Sequence, residues 1–256
     1  RYATHGDPIA RKMLTRNKMI VCDIDNTLTG DPESLRKLME LIEGHQKTIA
    51  FGVATGRTID SALEFLEEHG VQTPEILITS VGSEIYYGGP NNPDKGWAMH
   101  LRQKWDKEKI KQLLATLPFL KKQEPETERE FKVSYYMEPN DDHLVKVHEL
   151  LTKNGCRYQL IYSHQQFLDI LPQRASKGKA IRYLSYKWEV PLENFLVAGD
   201  SGNDEEMMRG DPKGVVVGNY SPELEQLRGK RGIYFSKQKY AAGVIDGIYR
   251  YRFLET

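Results

Sequence analysis

The chain reads as an α/β fold, a mainly parallel sheet whose sequence is interrupted by an inserted α+β module. Three observations predict it. Short apolar runs alternate with helix-spaced segments between residues 19 and 79. The same alternation resumes after residue 176, and the stretch between replaces it with tyrosine-rich extended segments separated by helices.

Residues 1–18 are basic and irregular and read as a leader or linker. Met19-Ile20-Val21-Cys22 is a buried strand that runs straight into Asp23-Ile24-Asp25. Residues 34–42 place apolar side chains at helical spacing and stop at Gly44. A second strand over 48–54 leads to Thr55-Gly56-Arg57, a helix over 59–69 closes at Gly70, and 75–79 is a third strand. That order is the signature of parallel strands joined by right-handed crossovers.

After Ser80-Val81-Gly82-Ser83-Glu84 the rhythm changes. Ile85-Tyr86-Tyr87 precedes a turn-rich stretch over 88–96. A helix over 107–115, an extended segment over 131–137, a helix over 141–153 and two β-like runs over 158–162 and 167–170 complete the insertion. Then come a helix over 179–186, a strand over 194–198 and the loop Gly199-Asp200-Ser201-Gly202-Asn203-Asp204. A helix beginning at 205–208, a strand over 214–218, a short helix over 223–227 and a terminal helix over 241–252 follow. Residues 19–84 and 172–256 are thus expected to form one domain, interrupted by 85–171.

At 256 residues the chain can bury a substantial core. Lys plus Arg equals Asp plus Glu at 36 each, which argues against broad electrostatic binding to nucleic acid or to an anionic membrane. Its two cysteines, Cys22 and Cys156, make neither a disulfide framework nor a metal cluster. No apolar run approaches the length needed to span a bilayer and no signal peptide is evident, so a soluble cytoplasmic protein is expected.

Four polar sites fall at strand exits or helix starts, positions that converge on one face of a parallel sheet. If the chain stays extended through Ile24, the carboxylates of Asp23 and Asp25 face one way and call for a cation or a shared proton; helix capping suits a lone pair of this kind as well. Thr55 offers a hydroxyl beside the accessible amide of Gly56, suited to a phosphate oxygen and compatible with a helix N-cap. Lys177 offers a point charge beside Gly178, although a lysine taken alone is usually solvated. Asp200 and Asp204, spaced by small polar residues, can complete a Mg²⁺ oxygen shell begun by Asp23. Four converging aspartates repel one another without a cation, whereas one divalent ion with Lys177 makes a site for a phosphate dianion. Phosphoryl transfer is the natural chemistry.

Taken in order, Asp23-Ile24-Asp25-Asn26-Thr27, Thr55, Lys177 and the 199–204 loop resemble the four motifs of the haloacid dehalogenase superfamily, in particular its phosphatases with a cap between the second and third motifs. Further stretches are similar to the sucrose-phosphate phosphatase family: Ser80 through Tyr87, Lys132-Val133-Ser134-Tyr135-Tyr136, Asp169-Ile170-Leu171-Pro172-Gln173 and Ala241-Ala242-Gly243-Val244-Ile245. The resemblance implies a Rossmann-like parallel-sheet hydrolase core with an inserted α+β cap domain. It also implies Mg²⁺-dependent hydrolysis of sucrose 6-phosphate to sucrose and phosphate through an aspartyl phosphate.

By that resemblance Asp23 is the nucleophile, and Asp25 is the acid and then the base, its pKa helped upward by Asp23. Mg²⁺ is held by Asp23, the Asp25 backbone carbonyl and Asp200, with Asp204 nearby. Thr55, Gly56, Lys177 and Asn203 hold the phosphate. Glu84, His100, Lys132 and Tyr135 are the candidates for sugar hydroxyls, with His100 equally a surface histidine and Tyr135 equally cap core. Two alternatives stand beside this reading: a phosphatase for another sugar phosphate or a phosphoglycerate-type metabolite, and a non-catalytic domain that docks on a sucrose-phosphate synthase. The second predicts eroded motifs, and every motif residue is intact. Because similar domains occur fused behind a synthase, and a free-standing phosphatase would not need the basic leader, a fused or separate synthase partner is expected.

Overall fold

The computed structural model describes residues 8–255. Its elements in chain order are α1 (Pro8–Met13), β1 (Lys18–Cys22), α2 (Pro32–Glu43), β2 (Ile49–Ala54), α3 (Ile59–Glu68), β3 (Ile76–Thr79), β4 (Glu84–Tyr87) and α4 (Lys95–Arg102). There follow α5 (Lys107–Leu114), β5 (Lys121–Lys122), β6 (Val133–Tyr136), α6 (Asp141–Lys153), β7 (Gln159–Ser163) and β8 (Phe167–Leu171). The chain closes with α7 (Lys177–Trp188), β9 (Phe195–Gly199), α8 (Glu205–Met208), β10 (Lys213–Val216), β11 (Ile233–Phe235) and α9 (Tyr240–Arg250).

Among the described residues the strands form two sheets. The larger runs β11-β10-β9-β1-β2-β3-β4, parallel except for β4, which pairs antiparallel with β3. Its strands alternate between two buried faces: Met19 and Val21 of β1 join one apolar cluster while Ile20 and Cys22 join the other. One cluster is roofed by α4 and α7 through Trp97, Leu101, Ile181 and Leu184. The other is roofed by α2, α3 and α9 through Leu35, Leu38, Leu66, Val244 and Ile248. The chain departs from β1 to β2 on one side, while β9 lies on the other, so the ends of β1, β2 and β9 meet at the topological switch point where open α/β sheets bind ligands.

The second sheet, β5-β6-β8-β7, is antiparallel. Val133, Tyr135, Leu168 and Ile170 pack beneath α5 and α6 with Ile110, Leu114, Val147 and Leu151. The alternate residues, Ser134, Phe167 and Asp169, therefore lie on the other face of this small sheet.

Two expected boundaries shift. The insertion placed over 85–171 begins too early, because β4 completes the large sheet and α4 buries Trp97 and Leu101 in the main core. The segment 103–106 that follows α4 is the inbound joint of the cap and is largely exposed, with Lys104 at φ 59°. The outbound joint, 172–176, is tighter: Ala175 and Ser176 are buried, the Ala175 N–H donates to the Pro172 carbonyl at 2.9 Å, and Ser176 caps α7 by accepting from the Lys179 N–H at 3.0 Å. The leader is also more ordered than a linker from residue 8 onward. Ala10 and Met13 of α1 are buried in the main core, and Arg16 forms a two-pronged ion pair with Glu75 at 3.0 and 3.3 Å; residues 1–7 lie outside the described residues. No helix among the described residues is long and apolar enough to cross a membrane.

Candidate active site

Asp23 sits at the exit of β1, its N–H donating to the Ala198 carbonyl at 2.9 Å and its Oδ1 accepting from the Ile24 N–H at 2.8 Å. The strand ends there. Residues 24–28 form a kinked turn in which Asp25 is extended and Asn26 is left-handed at φ 59°, and Asp23 and Asp25 both line one cavity. The carboxylate of Asp25 meets Arg57 in a two-pronged ion pair, Nε to Oδ2 and Nη2 to Oδ1, both at 2.8 Å. Arg57 is braced in turn by Ser61 and by the ring of Phe65, 3.8 Å from the guanidinium carbon.

The loop after β9 brings the other acids in. Asp204 accepts the N–H groups of Asp200 and Ser201 on Oδ2 at 2.9 and 3.1 Å and receives Lys177 Nζ on Oδ1 at 2.7 Å. The loop packs so closely that a Cβ on Gly199 would lie 2.3 Å from the Asp204 carboxyl carbon, which only glycine avoids. Oxygens of Asp23, Asp200 and Asp204 all lie within 4.8 Å of one another. Thr27 donates its hydroxyl to Asp200 at 3.1 Å.

Lys177, far from solvated, is fully buried at the start of α7. Its ammonium reaches Asp204 at 2.7 Å, Asn203 at 2.8 Å and Asp23 at 3.2 Å. Burial works against that charge, but Asp204 and Asp23 outweigh it and hold the lysine above its ordinary pKa. Asp23 is pushed well up by burial and by Asp204, with Lys177 opposing, and Asp200 is raised to about 6 by the same burial and the same neighbour. Three hard oxygen ligands facing one ammonium suit a hard divalent cation such as Mg²⁺.

Thr55 is buried and its hydroxyl accepts the Arg57 N–H at 3.1 Å, so it turns the loop; the residue in the N-cap position of α3 is Thr58, not Thr55. Asn203 Oδ1 accepts from both Lys177 and Ser201, which leaves its amide group beside Gly56. Those two residues border a cavity of about 500 Å³ between core and cap, together with Asp23, Asp25 and Arg57.

Of the four residues expected to touch the sugar, Lys132 alone lines this cavity. Glu84, at the start of the antiparallel β4, is turned away to Arg129, at 2.7 and 3.1 Å. His100 stacks on Trp97 outside the cap, on the core helix α4. Tyr135 packs in the cap core. The cap wall is built instead by Lys132 and Asp169 with Gln123, His164 and Gln166. Asp169 is buried and raised by that burial, opposed by Lys132 and by the Ser134 hydroxyl 2.7 Å away. An acid inside the apolar run Phe167-Leu168-Asp169-Ile170-Leu171 was the available signal for it, since a charge is buried in a strand at a cost that function repays. Arg57 stood in a stretch already singled out, but nothing in one sequence shows which acid it meets.

Comparison with known proteins gives the family. Residues 16–252 match the family described as sucrose-6F-phosphate phosphohydrolase. A probable sucrose-phosphatase 2 of Arabidopsis thaliana is 37% identical over 249 residues, covering 90% of this chain; the chain spans 58% of that protein's length. A mannosylfructose-phosphate phosphatase of Agrobacterium fabrum is 29% identical over 90% of this chain and 95% of its own. The solved sucrose-phosphatase of Synechocystis sp. PCC6803, in complex with sucrose and phosphate, superposes with a TM-score of 0.88 at 31% identity, covering 94% of this chain and all of that one. With the family match running over residues 16–252, the chain belongs to the sucrose-6F-phosphate phosphohydrolase family.

Proposed function

We propose that the protein is a Mg²⁺-dependent phosphatase that hydrolyses sucrose 6-phosphate to sucrose and phosphate through an aspartyl phosphate on Asp23. The observation that carries the reading is the placement of Asp23. Its buried carboxylate, beside Lys177 and two further acids, opens onto a sugar-sized cavity walled by the cap. Bound Mg²⁺ supplies the positive charge that offsets the phosphoryl oxygens against Asp23, Asp200 and Asp204.

The residues do the rest. An oxygen of Asp23 attacks phosphorus, the bond from phosphorus to the sugar oxygen breaks, and Asp25 gives that oxygen its proton. Asp25, now a carboxylate, takes a proton from water. The resulting hydroxyl attacks phosphorus, phosphate leaves, and Asp23 is restored. The two-pronged grip of Arg57 fixes the Asp25 carboxyl group at the cavity wall, where it takes that proton. Lys177 offsets the charge of the buried acids, while the Asn203 amide and the Gly56 backbone offer donors to the phosphate.

A neutral polyol is the leaving group this cap favours. The one lysine on its wall, Lys132, lies beside the acid Asp169, so a second anionic group, as in a phosphoglycerate, would meet no surplus positive charge. Gln123 and Gln166 supply the amide donors and acceptors that sugar hydroxyls need. Two free cysteines fit a reducing, cytoplasmic setting, and a synthase joined to or docked on the chain is the partner we infer. The test is phosphate release with Mg²⁺ from sucrose 6-phosphate, mannosylfructose phosphate, glucose 6-phosphate and 3-phosphoglycerate. A higher kcat/KM for sucrose 6-phosphate supports the reading. Equal values across the panel defeat the substrate assignment, and full turnover in excess chelator defeats the metal.

A further inference from the structure

A continuous line of hydrogen bonds leads from the sugar end of the cavity to Asp25. It starts at Lys132, which lines the cavity and closes a tight turn with Arg129: each N–H donates to the other's carbonyl, at 3.2 and 3.3 Å. The Arg129 side chain crosses from the cap to the core and grips Glu84 with two bonds, 2.7 and 3.1 Å long. Glu84 also accepts from the Tyr86 hydroxyl and, at 3.2 Å, from the Ser80 hydroxyl. Ser80 then donates its backbone N–H to the Arg57 carbonyl at 2.7 Å, and the next N–H, of Val81, goes to the Thr55 carbonyl at 3.0 Å. Arg57 ends the line with its two bonds to Asp25.

Two features mark this line as more than incidental bonding. Ser80 and Val81 are both left-handed, at φ 49° and 62°, and for the β-branched Val81 that conformation is costly. The following Gly82, at φ 95°, has no room for a Cβ, which would lie 2.1 Å from the Ser176 backbone. The strained turn is thus wedged between the loop that carries Arg57 and the residue before Lys177. Glu84 is a largely buried anion, its pKa brought down by Arg129, Tyr86 and Ser80 against the opposing effect of burial.

We propose that Glu84 and Arg129 are positioning residues that tie occupation of the sugar end of the cavity to the placement of Asp25, acting through Ser80 and Arg57. A sugar bound at Lys132 steadies the 129–132 turn, the Arg129 grip holds Glu84, and the Ser80 turn sets Arg57 under the Asp25 carboxylate. Neither residue touches substrate. The proposal rests on the phosphatase reading, because it needs an acid at position 25 to act upon.

The variants are Glu84→Gln, Arg129→Gln and the double substitution, each checked by thermal melting. On the best sugar phosphate of the wild type, kcat should fall roughly 3- to 30-fold with KM unchanged to within about twofold, the range expected of coupling through a positioning group. With an aryl phosphate, whose leaving group needs little protonation, the first burst of aryl alcohol should keep its rate. Steady-state turnover should fall, since Asp25 must still activate water. The double variant should be no slower than the slower single one. Should Glu84→Gln not fold, Arg129→Gln, on a side chain one-third exposed, carries the test alone.

Unchanged kcat in a folded variant, a rise in KM alone, an equally slowed burst, or multiplying losses in the double variant would each overturn the proposal. A wild type that turns over aryl phosphate but no sugar phosphate would remove the substrate reading and leave the burst comparison to judge Glu84 and Arg129. No aspartyl phosphate in the wild type would remove the phosphatase reading itself.

Discussion

Replacing Lys177 with methionine tests the electrostatics of the site directly. The side chains have similar length, so the change removes a fully buried ammonium with little loss of volume. Left behind are Asp23, Asp200 and Asp204, with oxygens within 4.8 Å of one another and the counter-charge formerly 2.7 Å from Asp204 and 3.2 Å from Asp23 gone. Breaking a buried ion pair on one side costs about 3–5 kcal/mol. At about 2–4 °C per kcal/mol for a chain of this size, the metal-free melting temperature should drop by roughly 6–20 °C near neutral pH.

The sign of the pH dependence follows from the raised acids. Asp200 moves from 3.8 to about 6 on folding, so its contribution to stability is present below 3.8 and is lost as pH rises through about 6. Asp23 is raised in the same sense, and without Lys177 the factor that holds it down is missing. The deficit of the variant should therefore be smallest in acid and widen toward neutrality. Adding Mg²⁺ should raise its melting temperature more than that of the wild type. Calorimetry of both proteins, with chelator and with Mg²⁺ across this pH range, reads all three effects. A metal-free variant that melts within about 2 °C of wild type at neutral pH, well under the shift worked above, would refute the argument that Lys177 neutralises these acids.

Five other substitutions separate the remaining roles. Asp23→Asn should form no phosphoenzyme, whereas Asp25→Asn should accumulate one from an aryl phosphate and turn it over about 10²- to 10⁴-fold more slowly; rapid-quench intact mass distinguishes the two. Lys132→Met should raise KM for sucrose 6-phosphate by roughly tenfold, the worth of about 1.4 kcal/mol, while leaving the aryl phosphate burst alone. In Gly202→Ala the new methyl would stand 2.3 Å from the Tyr162 carbonyl oxygen, so the cap edge must move off the acidic loop and sucrose 6-phosphate turnover should fall at least tenfold, about 1.4 kcal/mol in barrier. Asp94→Asn should cost about 3–5 kcal/mol in urea unfolding, because Asp94 accepts from Lys187, Tyr87, Tyr183 and the Trp97 N–H at 2.6 to 3.0 Å. Its pKa is lowered on folding, so the stability it contributes is present above the ordinary carboxylate range and lost as acid protonates it; the variant should show a shallower acid limb.

Much of the framework was legible because the pattern and the fold answer to the same periodicity. α6 begins and ends at the expected residues, and β1 alternates between two buried faces as a central parallel strand must. The missed elements carried weak local signals. α4 opens Lys95-Gly96-Trp97 after a proline- and asparagine-rich turn, and only Asp94, whose carboxylate accepts the Trp97 N–H at 3.0 Å, marks its start. β11 has three residues, too few to show alternation.

At the site, the acids and Lys177 stood out because each lies at a strand exit or helix start. What could not be read was direction. That Asp25 would pair with Arg57 depended on a kinked turn with one left-handed asparagine, and Glu84 was sent toward the sugar because nothing local reveals that β4 runs antiparallel. Lys132 and Asp169 face each other only after β6 and β8 pair, Ser134 opposite Asp169.

The two joints of the cap differ in burial, and that difference bears on where another cap could be grafted. Residues 103–106 form the more exposed joint, anchored by the Trp105 indole, which donates to the Glu130 carbonyl at 2.8 Å, and by Asp106, which accepts the Lys109 N–H at 3.1 Å. Residues 172–176 are set deeper. They deliver the chain from β8 into α7 with Ala175 and Ser176 buried, the Gln173 carbonyl tied to Lys179 at 2.8 Å, and Lys177 as the next residue. A recombinant that shortened this stretch by one residue would rotate the start of the helix by about 100° and carry the ammonium away from Asp23. A grafted cap thus has one joint tied near the surface and one, set in the core, that must be copied residue for residue.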